Sequence, residues 1–385
     1  MLGLVVGYAV LNTIPSIFLG APDDSTIFVV LPGQKYLMER KGFEASVLTG
    51  VGALGGLVAL LLLAPFAPKV FPTVRMVVGP HLHWILGAVS LFMLLSEWPK
   101  SSDRGSTPLT KFLDAWQSLG AGLMTFVLSG ILGFILFYSN LVPVEMAFQG
   151  LMPAFVGLFA IPWVLQNLVS RVQIPEQHVG RTVDLSPAMV ARGVGAGALG
   201  GLFAAFFPVV TGGIGAFLAG HATAQRDDRL FLVGQGASKL IYYVGAFVLF
   251  FVPGLHLTRG GMASMLSVVY EPRAPAVYWA VVGATLLSGT LAFALLLWLS
   301  RGAIWLVSRV DYRWISAITL AVLVGIVLGF TGWGGLLVAS AATGIGLLPV
   351  LWGSRRMNCM GVLLVPLTLS MAGLGPTVAG WLGLI

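Results

Sequence analysis

The sequence predicts an all-α, polytopic membrane protein of roughly ten to eleven transmembrane segments, built as two related halves with broken or re-entrant helices. Three observations predict this. Only 9% of the 385 residues are charged and 57% are hydrophobic, whereas a soluble domain carries about a quarter charged residues. The mean hydropathy is +0.95, so the surface suits hydrocarbon rather than water. Apolar stretches of spanning length also recur along the whole chain.

A span needs about 20 apolar residues. Stretches without Lys, Arg, Asp or Glu run over 1–22, 45–68, 76–96, 115–144, 146–170, 193–225, 240–258, 274–300, 314–354 and 357–385. Two are too long for one helix. The 314–354 stretch carries Thr331, Gly332, Trp333, Gly334 and Gly335 at its middle, a turn signal that divides it into two helices. The 193–225 stretch carries Pro208, then Thr211, Gly212, Gly213 and Gly215. Proline removes a backbone donor and the glycines loosen the turns after it, so a full span over about 190–207 gives way to a broken or re-entrant segment. Gly193, Gly197 and Gly201 fall on one helix face, where small residues let helices approach closely in lipid. Met1 opens onto an apolar run with no basic region before it, so the first segment reads as a span rather than a cleaved leader. Arg301, Arg309, Arg313, Arg355 and Arg356 flank neighbouring helices and mark a cytoplasmic side by the positive-inside rule.

Composition excludes several functions. The net charge of +7 is scattered between apolar stretches rather than gathered in a stripe with aromatics, which argues against nucleic-acid binding. One cysteine, Cys359, forms no intrachain disulfide or Cys-based metal site and reads as a small buried residue. His81 and His83 flank Leu82 beside Trp84, with no further ligand nearby, and read as interfacial. No nucleophile elbow, P-loop or zincin motif occurs. The chain is therefore not read as an enzyme, and no cofactor is expected.

The chemistry concentrates in three places. The run Asn12 to Thr26 is an apolar helix interrupted by Pro15, Gly20 and Pro22, ending in Asp23, Asp24, Ser25 and Thr26. A helix broken at membrane depth frees carbonyls and amides for a solute and its coupling ion; an interfacial loop with capping Asp and Ser has the same composition. The second place is Phe207 to Gly215, where bare amides at a helix start suit an anion and a tight turn needs the same glycines. The third is Gly234-Gln235-Gly236-Ala237-Ser238-Lys239, where Lys239 either faces a cavity or snorkels to the interface. Arg259 is a similar cation at the next helix end. The halves 1–175 and 176–385 each hold a Pro/Gly-broken segment, a charged loop (Glu39-Arg40-Lys41-Gly42 or Arg226-Asp227-Asp228-Arg229) and a Gly-containing helix. Such paired interruptions point to a transport site.

The run Pro15 to Asp24, with Leu31-Pro32-Gly33 after it, resembles the archaeal branch of the tripartite tricarboxylate transporter TctA family. So do Arg226 to Val233, Arg259 to Ala263, and Ile345 to Pro349 with Arg355 to Gly361. The resemblance implies a large two-repeat transport subunit for carboxylates in the cell membrane, coupled to an Na+ or H+ gradient. It also implies a small membrane subunit and a solute-binding protein as partners. Against the family pattern, the first repeat is expected to lack its opening hairpin, and Pro208-Val209 stands where the family has Pro-Gly. The residues thus converge on a permease for a small anionic solute. Asn12, Pro15, Ser16, Gly20, Thr211, Gly212, Gly213, Gly215, Ser238, Lys239 and Arg259 are the substrate-binding candidates. Asp23, Asp24 and Thr26 are the ion-coupling candidates. A flippase or enzyme for a lipid-linked anion, and a structural membrane protein without a path, are the alternatives.

Overall fold

The computed structural model describes residues 1–99, 107–139, 141–142, 150–170, 174–180, 182–225 and 227–385. Arg226, part of the charged loop read from the sequence, lies outside them. The described residues are helical with connecting turns. In order the helices are α1 (Leu2–Leu11), α2 (Thr13–Phe18), α3 (Ile27–Met38), α4 (Gly42–Leu63), α5 (Ala67–Leu95), α6 (Pro108–Tyr138), α7 (Met152–Val169) and α8 (Pro187–Phe206). Next come α9 (Gly212–Ala222), α10 (Asp228–Leu249), α11 (Gly261–Val269), α12 (Pro275–Arg309), α13 (Tyr312–Leu351), α14 (Arg356–Met371) and α15 (Gly375–Trp381).

Among the described residues, eight helices are long and apolar enough to cross a membrane, or nine if α14 and α15, bent by 118°, form one span. The sequence predicts roughly ten to eleven segments, broken or re-entrant pieces among them. The 1–22 stretch adds no full-length helix and yields α1 and α2, of 10 and 6 residues. The 193–225 stretch holds most of the full-length α8 and then the short α9, of 11 residues, the span and broken segment read from the sequence. At 1.5 Å per residue α9 spans only about 16 Å, half the hydrocarbon thickness. In α13 the helical path is interrupted at Gly332 (φ +64°, ψ −160°), inside the turn cluster read from the sequence.

The chain forms two compact units, residues 1–77 with 171–315 and residues 78–170 with 316–385. Each draws on both halves expected from the sequence. In the first unit α10 is the central helix, buried along most of its length, whereas α12 turns Leu287, Leu291 and Trp298 outward. Helix association in lipid relies on close packing rather than hydrophobic expulsion, and the glycines supply it. A methyl group at Gly52 of α4 would stand 2.0 Å from the Val233 carbonyl of α10, and one at Gly236 would stand 2.0 Å from the Thr49 carbonyl of α4. The two backbones therefore touch at two points. Gly193, Gly197 and Gly201 of α8 press on Val233, Gly234 and Ser238 of α10, the packing role their spacing suggests. At the start of α10, Asp227 caps the helix by accepting from Arg229 N, and the bonded Arg229 guanidinium holds the Asp227 carboxyl below its ordinary range.

In the second unit α6 lies along α14, where a methyl at Gly133 would meet the Val362 carbonyl at 2.0 Å. The motif Arg355 to Gly361 opens α14 there. Glu97 Oε1 accepts from Arg355 N at 2.6 Å and Asn358 Nδ2 at 3.3 Å. The Arg356 guanidinium lies 4.1 Å from the Trp163 ring centroid, and Cys359 is buried.

Candidate functional site

The polar centre of the first unit begins where α2 stops. The Pro15 carbonyl accepts from Leu19 N and Ala21 N, and Gly20 takes φ +59°. The helix ends at a left-handed glycine that turns the chain out of it. Gly20 thus serves the turn. The chain then folds around Asp23. Asp23 N donates to Thr26 Oγ1 at 3.0 Å while Thr26 N donates to Asp23 Oδ1 at 2.7 Å, a reciprocal cap before α3. Asp23 Oδ1 also accepts from Ser25 N, Ser25 Oγ and Thr26 Oγ1. Its Oδ2 accepts from Tyr8 OH at 2.5 Å, Asn12 Nδ2 at 2.8 Å and Tyr243 OH at 3.1 Å. Ser16 Oγ joins the network through Thr26 Oγ1 at 2.7 Å.

Asp24 is placed differently. Its backbone carbonyl accepts from Thr211 Oγ1 at 3.1 Å, whereas its carboxylate meets Tyr243 OH at 3.5 Å, a weak contact, and the local backbone amides of Asp24 and Ser25. Of the adjacent acids, Asp23 is surrounded by side-chain donors and Asp24 is not.

The second break abuts the first. α8 ends at Phe206, and Thr211 caps α9, its Oγ1 accepting from Ile214 N. Ser238 Oγ donates to the Gly212 carbonyl at 2.7 Å. A methyl at Gly212 would stand 2.9 Å from Lys239 Cα, and one at Gly213 would stand 2.5 Å from the Ser25 carbonyl. Gly215 touches the Gly200 carbonyl of α8 in the same way. Gly213 and Gly215 thus make backbone-to-backbone contacts, and Gly212 lies against the backbone of Lys239.

Between the breaks Val209 has φ +66°. A β-branched residue there is a genuine outlier, and the left-handed region costs an L-residue about 1–2 kcal/mol. The backbone thus takes the glycine-like turn expected of Pro-Gly although valine occupies the position. Val209→Gly is expected to raise stability by about 1 kcal/mol once the greater freedom of glycine in the unfolded chain is subtracted. A denaturation midpoint in detergent that stays put or falls would show that valine packing outweighs the strain.

Lys239 is 2% exposed and does not snorkel. Its Nζ donates to Thr13 Oγ1 at the start of α2, within electrostatic reach of Asp23. Arg259 is otherwise engaged. Its guanidinium donates to the carbonyls of Ala204, Ala205 and Phe207 at the end of α8, where a cation suits the helix C-terminus. The structure thus brings together Asn12, Ser16, Asp23, Asp24, Thr26, Thr211, Gly212, Ser238 and Lys239. It uses Pro15 and Gly20 in the turn and Arg259 as a helix cap.

Sequence reading placed Tyr8 and Tyr243 outside the candidate stretches, and took in Thr13 and Gln235 only as parts of them. Tyr243 sits in a π-helical turn, Ile241–Gly245, a widening common at functional sites. The signal available was the Tyr242-Tyr243 pair after a buried lysine. An apolar cavity lies elsewhere in this unit, lined by residues such as Leu60, Phe71, Val248 and Tyr278, and none of the polar residues at the breaks lines it.

These features define a multi-pass helical membrane protein whose buried polar centre lies where two helices break. The chain belongs to the tripartite tricarboxylate transporter TctA family, whose model matches residues 1–361. It is thus a member of the family that forms the membrane component of tripartite transporters, as the Pro15–Asp24 and Arg355–Gly361 runs suggest. It is 27% identical over 372 residues to an uncharacterized protein, MJ1079, of Methanocaldococcus jannaschii, a match covering 95% of this chain and 86% of that one. No solved structure matches it.

Proposed function

We propose that the chain is a permease for a small, carboxylate-type anion, driven by an Na+ or H+ gradient, and that the two helix breaks form its site. One observation carries the reading: among the described residues, a lysine buried inside a span has one hydrogen-bond partner, the Thr13 hydroxyl at the neighbouring break. An intramembrane charge so sparsely satisfied marks a solute path, and an anion at Lys239, beside the start of α9, would meet both the ammonium and the positive end of a helix. Asn12, Ser16, Thr211 and Ser238 shape that site. Asp24 is the coupling residue, because its neighbour Asp23 is already taken up by donors. The halves 1–175 and 176–385 are read as inverted repeats, each supplying one break. A small membrane subunit and a solute-binding protein complete the transporter.

The test is exchange and gradient-driven uptake of radiolabelled citrate and succinate in proteoliposomes. Asp24→Asn is expected to cut gradient-driven uptake by about tenfold, the scale of a typical coupling energy, while leaving exchange in place. Unchanged gradient-driven uptake would remove Asp24 from the coupling role. Absence of both activities in the natural protein, with either ion, would overturn the permease reading.

A further inference from the structure

The buried side chain least accounted for is Gln235. It is 1% exposed, and neither its Nε2 nor its Oε1 has a hydrogen-bond partner among the described residues. Leaving a buried donor or acceptor unmade carries the full desolvation penalty of the group, and inside a membrane no bulk water relieves it. Native interiors keep such groups rarely, and then for a reason.

Its position supplies the reason. Gln235 lies four residues before Lys239 in the regular part of α10, so the two side chains share a face, with Cβ atoms about 5–6 Å apart. Leu232 and Lys239 bracket it on that stripe. Leu232 belongs to the same core cluster as Ile17, Phe18 and Val29, which flank the first break, and Lys239 donates to Thr13. Gln235 therefore faces the same break. A second unsatisfied atom, Asn12 Oδ1, is buried there as well.

We infer that Gln235 is a specificity-determining residue of the anion site, forming with Lys239 a two-point grip on one carboxylate. This rests on the permease reading and adds to it. Lys239 Nζ meets one carboxylate oxygen and Gln235 Nε2 the other. Gln235 Oε1 stays available to a hydroxyl of the solute or to the coupling cation. Such a grip requires two oxygens on one carbon, so a halide meets the lysine alone and is held weakly.

The experiment is thermal unfolding of the purified full chain in detergent, with and without sodium citrate or sodium succinate, with sodium chloride as control. In the natural protein a carboxylate raises the midpoint and chloride does not. Gln235→Met keeps the length of the side chain and removes its polar atoms. Its own midpoint is expected to be equal or higher, and its affinity for the carboxylate at least tenfold weaker. Gln235→Glu, which sets a carboxyl against the solute, is expected to lose the response as well. A ligand-free midpoint several degrees lower in Gln235→Met would show that the amide holds the fold, and would overturn the inference. So would a carboxylate response in Gln235→Met equal to the natural one. If the natural protein responds to neither carboxylate, the carboxylate reading of the site fails, and this inference with it; that failure shows before any variant is made.

Discussion

Replacing Asp23 by alanine is expected to destabilise the protein by about 3–5 kcal/mol, the usual result of removing one member of a buried charged network. Seven donors converge on its two oxygens. The hydroxyls of Ser25 and Thr26 can turn to other acceptors. The backbone amides of Ser25 and Thr26 cannot, because the turn after Gly20 fixes their direction. Tyr8 is 49% exposed, so its bond contributes least. Asp23→Asn is expected to be milder, near half that loss. Its Oδ1 can still take both amides, while its NH2 faces Tyr8, Asn12 and Tyr243, whose hydroxyls and amide oxygen can accept. Asp24→Ala is the control, expected to fall within about 1 kcal/mol, since beside local amide bonds its carboxylate has one long side-chain contact, to Tyr243. Chemical denaturation of the three variants in the same detergent checks the order. If Asp24→Ala proves as damaging as Asp23→Ala, the division between a structural and a loosely held carboxylate is wrong.

That division could not be read from the sequence. Asp23-Asp24 presents two identical side chains, and which one turns inward depends on Gly20 at φ +59° and on tyrosines 15 and 220 residues away from Asp23. Local chemistry did reveal that the helix breaks, because proline and glycine act through their own backbones. It also placed the break after Pro208 correctly and read the Gly193, Gly197 and Gly201 face as a packing surface. What it lacked was length. A charge-free stretch reports only the absence of charge, so 1–22 read as a span although it holds two short helices. Arg259 shows the same limit in a different form. Its position at a helix end was visible, but the carbonyls that engage it belong to α8, more than 50 residues earlier. Gln235 was hidden for a simpler reason: a glutamine among small residues gains meaning only when its partners are sought and not found.

Lys239→Met is expected to abolish anion handling, with a loss of affinity on the order of 10²–10³-fold, roughly 3–4 kcal/mol, in keeping with the loss of one partner of a desolvated charge pair. Its effect on stability separates two roles that a static arrangement leaves alike. Suppose the ammonium exists to neutralise Asp23. Methionine would then strand a buried carboxylate, and the protein would lose several kcal/mol. Suppose instead that it waits for a solute. Asp23 keeps its seven donors, a buried ammonium with one hydroxyl partner is replaced by an apolar chain of similar length, and stability changes by about 1 kcal/mol or less. The second outcome is expected, because Asp23 is satisfied by hydrogen bonds whereas among the described residues Lys239 bonds Thr13 alone. Lys239→Arg should not restore binding, since a planar fork cannot take the place of a compact ammonium bonded to Thr13. Solute exchange and denaturation measured on the same preparation decide the matter. Exchange within twofold of the natural protein would remove Lys239 from the site. Loss of exchange together with collapse of stability would make it a structural counter-charge, and the anion would then have to be sought elsewhere in the fold.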